Sequence, residues 1–161
     1  MNEPQASIDG LLMAYTLLFT SRGTPLVYYG DEIALPGGND PDNRRDFPGG
    51  WATDPRNAFE ASGRDASQQR VFAHVQALTT LRAARPELRR ARTEHLLASE
   101  QQFVYRRGTT VVAINNDTTA VTVRVRNRAL PAAVLGGCPA APLAADGQVA
   151  IAIPAKQGCV F

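Results

Sequence analysis

One short apolar run, Pro25–Tyr29 (PLVYY), lies between two segments of helical periodicity and closes on Gly30. Apolar throughout and bounded by Pro and Gly, it reads as a strand buried on both faces in a parallel sheet. Before it, Ile8, Leu11, Leu12, Tyr15, Leu18 and Phe19 recur at three and four residues, the period of an amphipathic helix. Ser7 is the expected N-cap of that helix and Gly23 its stop. After it, Val71, Phe72, Val75, Leu78 and Leu81 form a second helical stripe, with Ser67 as cap and Pro86 as stop. A lone helix–strand–helix can neither satisfy both edges of its strand nor cover both of its faces. The part up to about residue 91 is therefore expected to be the end of a larger domain.

In parallel α/β folds the loops after strand ends carry the chemistry, which places Gly30–Glu32 at a site rim. From Ile33 to Ala66 no periodicity persists, and a loop of that length is usually functional or disordered. Phe47, Trp51, Phe59 and charges of both signs favour order. From Glu94 onward the texture changes. Val104–Arg106, Thr110–Asn115, Ala120–Arg126 and Gln148–Ile153 are short, partly alternating runs separated by Gly, Asn-Asp or Pro clusters. They read as antiparallel strands of a small β-sandwich. The division is placed between residues 1–91 and 92–161.

Charge is nearly balanced at +2, with a single lysine, so neither disorder nor binding to polyanions is indicated. The run Arg82, Arg85, Arg89, Arg90 and Arg92 lacks the aromatic interleaving of a nucleic-acid module. It reads as a solvated helix end, with cations near the C-terminal dipole. No apolar run approaches the roughly 20 residues of a membrane span, and Met1–Gly10 is polar. A soluble chain without a signal peptide or membrane contact is expected, its compartment left open. Cys138 and Cys159 form either a disulfide or two buried thiols, and no metal spacing exists. Asp40, Asp42 and Asn43 slightly suggest a calcium loop, but two arginines follow and no Gly-then-Glu pattern completes it. Neither metal nor cofactor is expected.

Three strings together are specific. GTPLVYYGDEI, GGNDPDNRRDFPGGW and SQQRVFAHVQALTTLRAARPEL resemble the last barrel strand, its loop and the final barrel helix of glycoside hydrolase family 13, the α-amylase family. The likeness is to its neopullulanase and cyclomaltodextrinase-type members, and the remainder resembles the β-sandwich called domain C. The resemblance implies an α/β fragment (the last helix-strand-helix of a (β/α)8 TIM barrel) followed by an all-β antiparallel sandwich. It also implies a retaining glycosidase mechanism with two carboxyl groups about 5–5.5 Å apart and a third acid steadying the transition state. In the family those acids stand at the ends of barrel strands four, five and seven, before the residues matched here, so no catalytic residue is expected in this chain. Met1 is expected to be an internal methionine of a longer enzyme, with an Asn-His-Asp segment encoded just upstream.

The resemblance also assigns substrate contacts. Asp40 and Arg44 match a pair that hydrogen-bonds a glucose unit on the non-reducing side of the cleavage point, a task suited to a carboxylate beside a forked guanidinium. The plainer reading is a salt bridge within the loop. Trp51 is either a stacking platform for a sugar ring or an anchor of the loop. Asp31 and Glu32 are supporting residues; as neighbours at a strand end they point apart and cannot flank one bond. Arg45 and Asp46 are expected to pair within the loop or with barrel residues, and Tyr28 and Tyr29 to pack. Three roles follow: a catalytically incomplete part of an α-glucan hydrolase, a non-catalytic α-glucan-binding module, or a piece that complements a separately encoded barrel or self-associates.

Overall fold

The computed structural model describes residues 7–161, so expectations resting on Met1–Ala6 lie outside the described residues. The chain divides into two compact units, residues 7–25 with Ala77–Phe161, and Leu26–Gln76. Its helices are α1 (Ile8–Thr20), α2 (Ala66–Ala84) and α3 (Glu87–Arg90). Its strands are β1 (Thr93–Ala98), β2 (Gln102–Arg107), β3 (Thr110–Asn115), β4 (Val121–Arg126), β5 (Gln148–Ile153) and β6 (Gln157–Val160).

All the strands belong to the first unit and pair antiparallel, as one sheet in the order β1-β2-β3-β6 and a second formed by β4 and β5. Period-two patterning explains how they close on one another. Val123 and Val125 of β4, with Val149, Ile151 and Ile153 of β5, face Val104, Val111 and Ala113 of the larger sheet in one core. Thr122, Arg124 and Arg126 point to solvent between them. β3 differs, being buried at all six positions. Its second face, Val112 and Ile114, joins Tyr105 and Val160 against Met13 of α1 and Leu81 of α2. Gly158 makes that contact close: a Cβ there would stand 2.8 Å from the Thr16 side chain and 2.9 Å from Ile114 Cδ1.

Cys138 and Cys159 are joined as a disulfide with Cα atoms 5.9 Å apart, which decides between the two readings open in the sequence. It ties the β4–β5 connection to β6 inside the sandwich core.

Several expectations are corrected. Pro25–Tyr29 forms no strand; Leu26 is 77% exposed, and Tyr28 and Tyr29 are exposed rather than packed. A strand exists only through its neighbours' hydrogen bonds, and no described strand pairs with this run. α1 stops at Thr20, before Gly23, with Ser21 in an extended conformation. Its start at Ser7 is as read, the hydroxyl accepting from Gly10 N–H at 3.1 Å. α2 is capped by Asp65 rather than Ser67. Asp65 Oδ1 accepts from Gln68 N–H at 2.9 Å while Gln68 Oε1 accepts from Asp65 N–H at 3.1 Å, a capping box. β1, interrupted by an irregularity between His95 and Leu97, and the Gly-containing β6 lack the alternation that marks β4 and β5.

The arginine run is the largest correction. Arg82 is 8% exposed, and its guanidinium donates to the carbonyls of Phe19 (2.5 Å), Leu88 (3.1 Å), Ser21 (3.2 Å) and Gly23. Fully buried Arg107 donates to Ala91 (3.1 Å), Leu88 (3.2 Å) and Thr20 (3.3 Å). Arg85 bonds Thr110 Oγ1 and the Phe161 carbonyl, each at 2.9 Å, and Arg89 bonds the Arg82 and Ala83 carbonyls. Arg89, Arg90 and Arg92 remain as expected, exposed at the surface, with Arg89 serving the last carbonyls of α2. The last carbonyls of a helix have no intrahelical donor. Forked side chains from elsewhere in the unit supply them. Burial, then the Arg107 and Arg89 cations, lowers the Arg82 pKa.

Two measurements follow. Arg82→Met leaves buried carbonyls unsatisfied and is expected to lower stability by about 3 kcal/mol in urea unfolding, with Arg82→Lys recovering only part. Replacing both cysteines by serine is expected to cost about 3 kcal/mol in the same assay, and thiol titration of the unfolded chain should find no free thiol before reduction.

Candidate functional site

The loop predicted to carry function is ordered by its own acids. Asp31 begins a 3₁₀ turn, Asp31–Ile33, and its carboxylate accepts from Tyr28 N–H at 2.9 Å. Glu32 beside it is half-buried, and Ile33 is fully buried. Asp31 thus fixes the turn, and the structure does not set the two acids across a common cleft.

A second 3₁₀ turn, Asp42–Arg44, holds the polar cluster. Asp42 Oδ2 accepts from Gly38 N–H at 2.9 Å, and both its oxygens are taken by Arg45, Nε to Oδ1 at 2.6 Å and Nη2 to Oδ2 at 2.7 Å. The Arg45 hydrogen bonds hold the Asp42 carboxyl below its ordinary pKa against a smaller opposing effect of desolvation, and the Arg45 pKa is raised in return. Arg44 pairs with Asp40, four residues back. Their side chains keep 60% and 63% of their surface exposed, so the pair is open to a ligand. A pair so exposed adds little stability by itself.

Trp51 is 64% exposed, yet it is positioned at both ends. Its indole Nε1–H donates to Asp46 Oδ2 at 3.1 Å, and its backbone N–H to Asp54 Oδ2 at 3.1 Å. Asp54 Oδ2 also accepts from Gly49 N–H at 2.7 Å. Gly49 has φ of 101°, and a Cβ on it would come within 2.4 Å of Asn57 Oδ1. Tyr29 belongs to the same neighbourhood. Partial desolvation and the adjoining Tyr28, then the Asp46 charge, raise its pKa while the Arg44 charge lowers it. The Tyr28 and Tyr29 rings lie in tilted contact, centroids 4.6 Å apart and planes at 45°. Arg64 secures the far end, donating to Gln69 Oε1 (2.8 Å) and to the Ala58 carbonyl (3.0 Å), with its guanidinium 3.9 Å over the Phe72 ring.

Of the residues singled out in the sequence, the structure joins Asp40 to Arg44 and Asp46 to Trp51, and leaves Asp31 and Glu32 outside both pairs. Arg45 pairs within the loop, with Asp42. Asp54 and Arg64 were missed, while Asp42 enters the sequence reading only as a calcium candidate and Tyr29 only as a packing residue. The Asp42-to-Arg45 spacing was a readable signal; the reach of Asp54 back to Gly49 was not.

Relatives with known activities share this chain's pattern. Over 123 residues it is 31% identical to a cyclomaltodextrin glucanotransferase of Bacillus sp. (strain 1-1), a match covering 74% of this chain and 15% of that protein. It is 36% identical over 98 residues to a maltogenic alpha-amylase of Bacillus acidopullulyticus, covering 61% and 13%. A debranching enzyme from Nostoc punctiforme superposes with a TM-score of 0.75 at 30% identity, over 96% of this chain and 31% of that one. The chain belongs to the α-amylase family, glycoside hydrolase family 13. An Anoxybacillus α-amylase of the same group superposes with a TM-score of 0.73 at 28% identity, over 96% of this chain and 32% of its own. The mostly-sheet unit matches the C-terminal domain of such enzymes. The chain spans under a fifth of the length of the curated family members it matches. No protein-family profile matches it. No described helix is long and apolar enough to cross a membrane.

The Asp42–Arg45 pair has a defined pH dependence. With the folded pKa of Asp42 lowered, its contribution is complete above the ordinary carboxylate range near 4 and is lost as pH falls through the lower folded value. NMR of the Arg45 Nε–H group should show a transition below that range, absent in Asp42→Asn.

Proposed function

We propose that this chain supplies the substrate-holding loop and the C-terminal sandwich of an α-glucan-active glycoside hydrolase. The observation that carries the reading is the exposed Asp40–Arg44 pair on a loop ordered by its own carboxylates. A carboxylate accepts from one sugar hydroxyl while the guanidinium donates to the next, and the pair is already aligned before a ligand arrives. Trp51 offers an exposed indole face on the same loop, and Arg45, Asp46, Asp31 and Glu32 support the loop. In this reading residues 1–91 derive from a glycosidase barrel and residues 92–161 form domain C. Maltodextrin, cyclodextrin and pullulan are the substrate class, the relatives being named for activity on cyclomaltodextrins and related glucans.

Hydrolysis needs two carboxyl groups flanking the scissile bond, with a water or a covalent intermediate between them. We assign no residue of this chain to that role, so the chain binds without cutting on its own. The exposed Leu26–Tyr29 run favours a second role within the same reading: association with a separately encoded barrel portion, or with a second copy, through strand pairing.

Retardation of the chain in gels containing soluble starch tests the binding role. Asp40→Ala and Arg44→Ala are each expected to weaken retention about tenfold, the scale of a charge-assisted hydrogen bond. Equal retention of all three proteins would remove the pair from the site. Incubation with maltodextrin, cyclodextrin or pullulan should release no reducing sugar, and turnover abolished in Asp31→Asn or Glu32→Gln would overturn the non-catalytic assignment.

A further inference from the structure

The Leu26–Gln76 unit exposes a second aromatic surface that neither the resemblance nor the Asp40–Arg44 pair uses. Phe59 is 63% exposed, in a segment otherwise composed of polar and small residues, Asn57, Ala58, Glu60 and Ala61. It is not a loose side chain. Its N–H donates to Asn57 Oδ1 at 3.0 Å, its carbonyl accepts from Arg64 Nη1 at 3.3 Å, and its ring rests on Phe47 with centroids 4.5 Å apart. The backbone beneath is equally constrained. Ala58 N–H donates to the Pro48 carbonyl at 2.9 Å, and a Cβ on Gly63 would fall 1.8 Å from the Asn57 carbonyl oxygen. Trp51 leaves the same knit segment through the turn closed by Gly50 N–H to the Phe47 carbonyl, 3.1 Å.

We propose that the Phe59 ring, braced by Phe47, is a further stacking platform for a glucose unit of an α-glucan chain, distinct from Trp51. The inference rests on the α-glucan reading given above. Aromatic faces pack well against the apolar C–H face of a pyranose, and a ring already held in place loses little entropy on doing so. The setting argues for a sugar over a protein partner: apart from Phe47, on which the ring rests, its neighbours along the chain are polar or small, whereas a protein-docking patch is a contiguous apolar surface.

Binding of maltoheptaose to the full chain, followed by isothermal calorimetry, tests this. Phe59→Ala is expected to weaken binding about fivefold, in line with an aromatic contact worth about 1 kcal/mol. Phe59→Trp should stay within about twofold of the unaltered chain, while Phe59→Leu should lose as much as alanine, because an aliphatic side chain preserves packing but offers no flat face. Unchanged affinity in Phe59→Ala, or full affinity in Phe59→Leu, overturns the platform. If Trp51→Ala and Arg44→Ala still weaken binding in that case, the loop reading survives without Phe59. If the unaltered chain binds no maltoheptaose, both fall. Thermal unfolding of each variant, expected within a few degrees of the parent, separates lost contact from lost fold.

Discussion

Two buried guanidiniums organise the larger unit. Arg82 and Arg107 converge on the Leu88 carbonyl and between them take the carbonyls of Phe19, Thr20, Ser21, Gly23 and Ala91. α1 has no basic residue in its own last turn, so its C-terminal carbonyls would otherwise be buried without donors. A planar fork with five N–H groups can serve several carbonyls at once. The consequence is positional: α1, α3 and the end of β2 are held at one point, and α1 is thereby laid across β3 and β6, where Gly158 leaves room for Thr16. The Tyr105 hydroxyl, hydrogen-bonded to Thr20 Oγ1 at 2.5 Å, adds a polar tie on the same face.

The smaller unit uses the opposite charge for the same purpose. Its long loop has few buried apolar residues, so hydrophobic burial cannot order it. Asp31, Asp42 and Asp54 each accept backbone N–H groups that no sheet or helix satisfies, and Arg45 and Arg64 close the remaining polar valences. That division of labour leaves Asp40, Arg44, Trp51 and Phe59 at the surface, free of structural duty beyond their immediate neighbours. A loop built in this way presents ligand-binding groups at low reorganisation cost.

Much of the sandwich was legible because its strands are short apolar or alternating runs set off by Gly, Asn-Asp and Pro clusters. Thr110–Asn115 and Gln148–Ile153 have the bounds that their patterning indicates, and β4 differs by one residue. β1 and β6 escaped because one is irregular and the other contains a glycine. Within the loop, the Asp40-to-Arg44 pairing was legible as one of two stated readings, from spacing and resemblance together. The capping box was present in the letters at Asp65 and Gln68, but Ser67 offered a competing cap of the same chemical type.

Local chemistry in the sequence by itself determined the two long helices and the alternating strands, and the resemblance of three strings pointed to the α-amylase family. Tertiary structure alone decided where the arginines went. A cation at a helix end looks solvated in a one-dimensional reading, because the carbonyls that Arg82 and Arg107 satisfy lie up to 87 residues away in the chain. The same holds in reverse for Pro25–Tyr29. Its composition is that of a buried strand, but a strand is completed by hydrogen bonds from neighbours, and among the described residues no strand pairs with it.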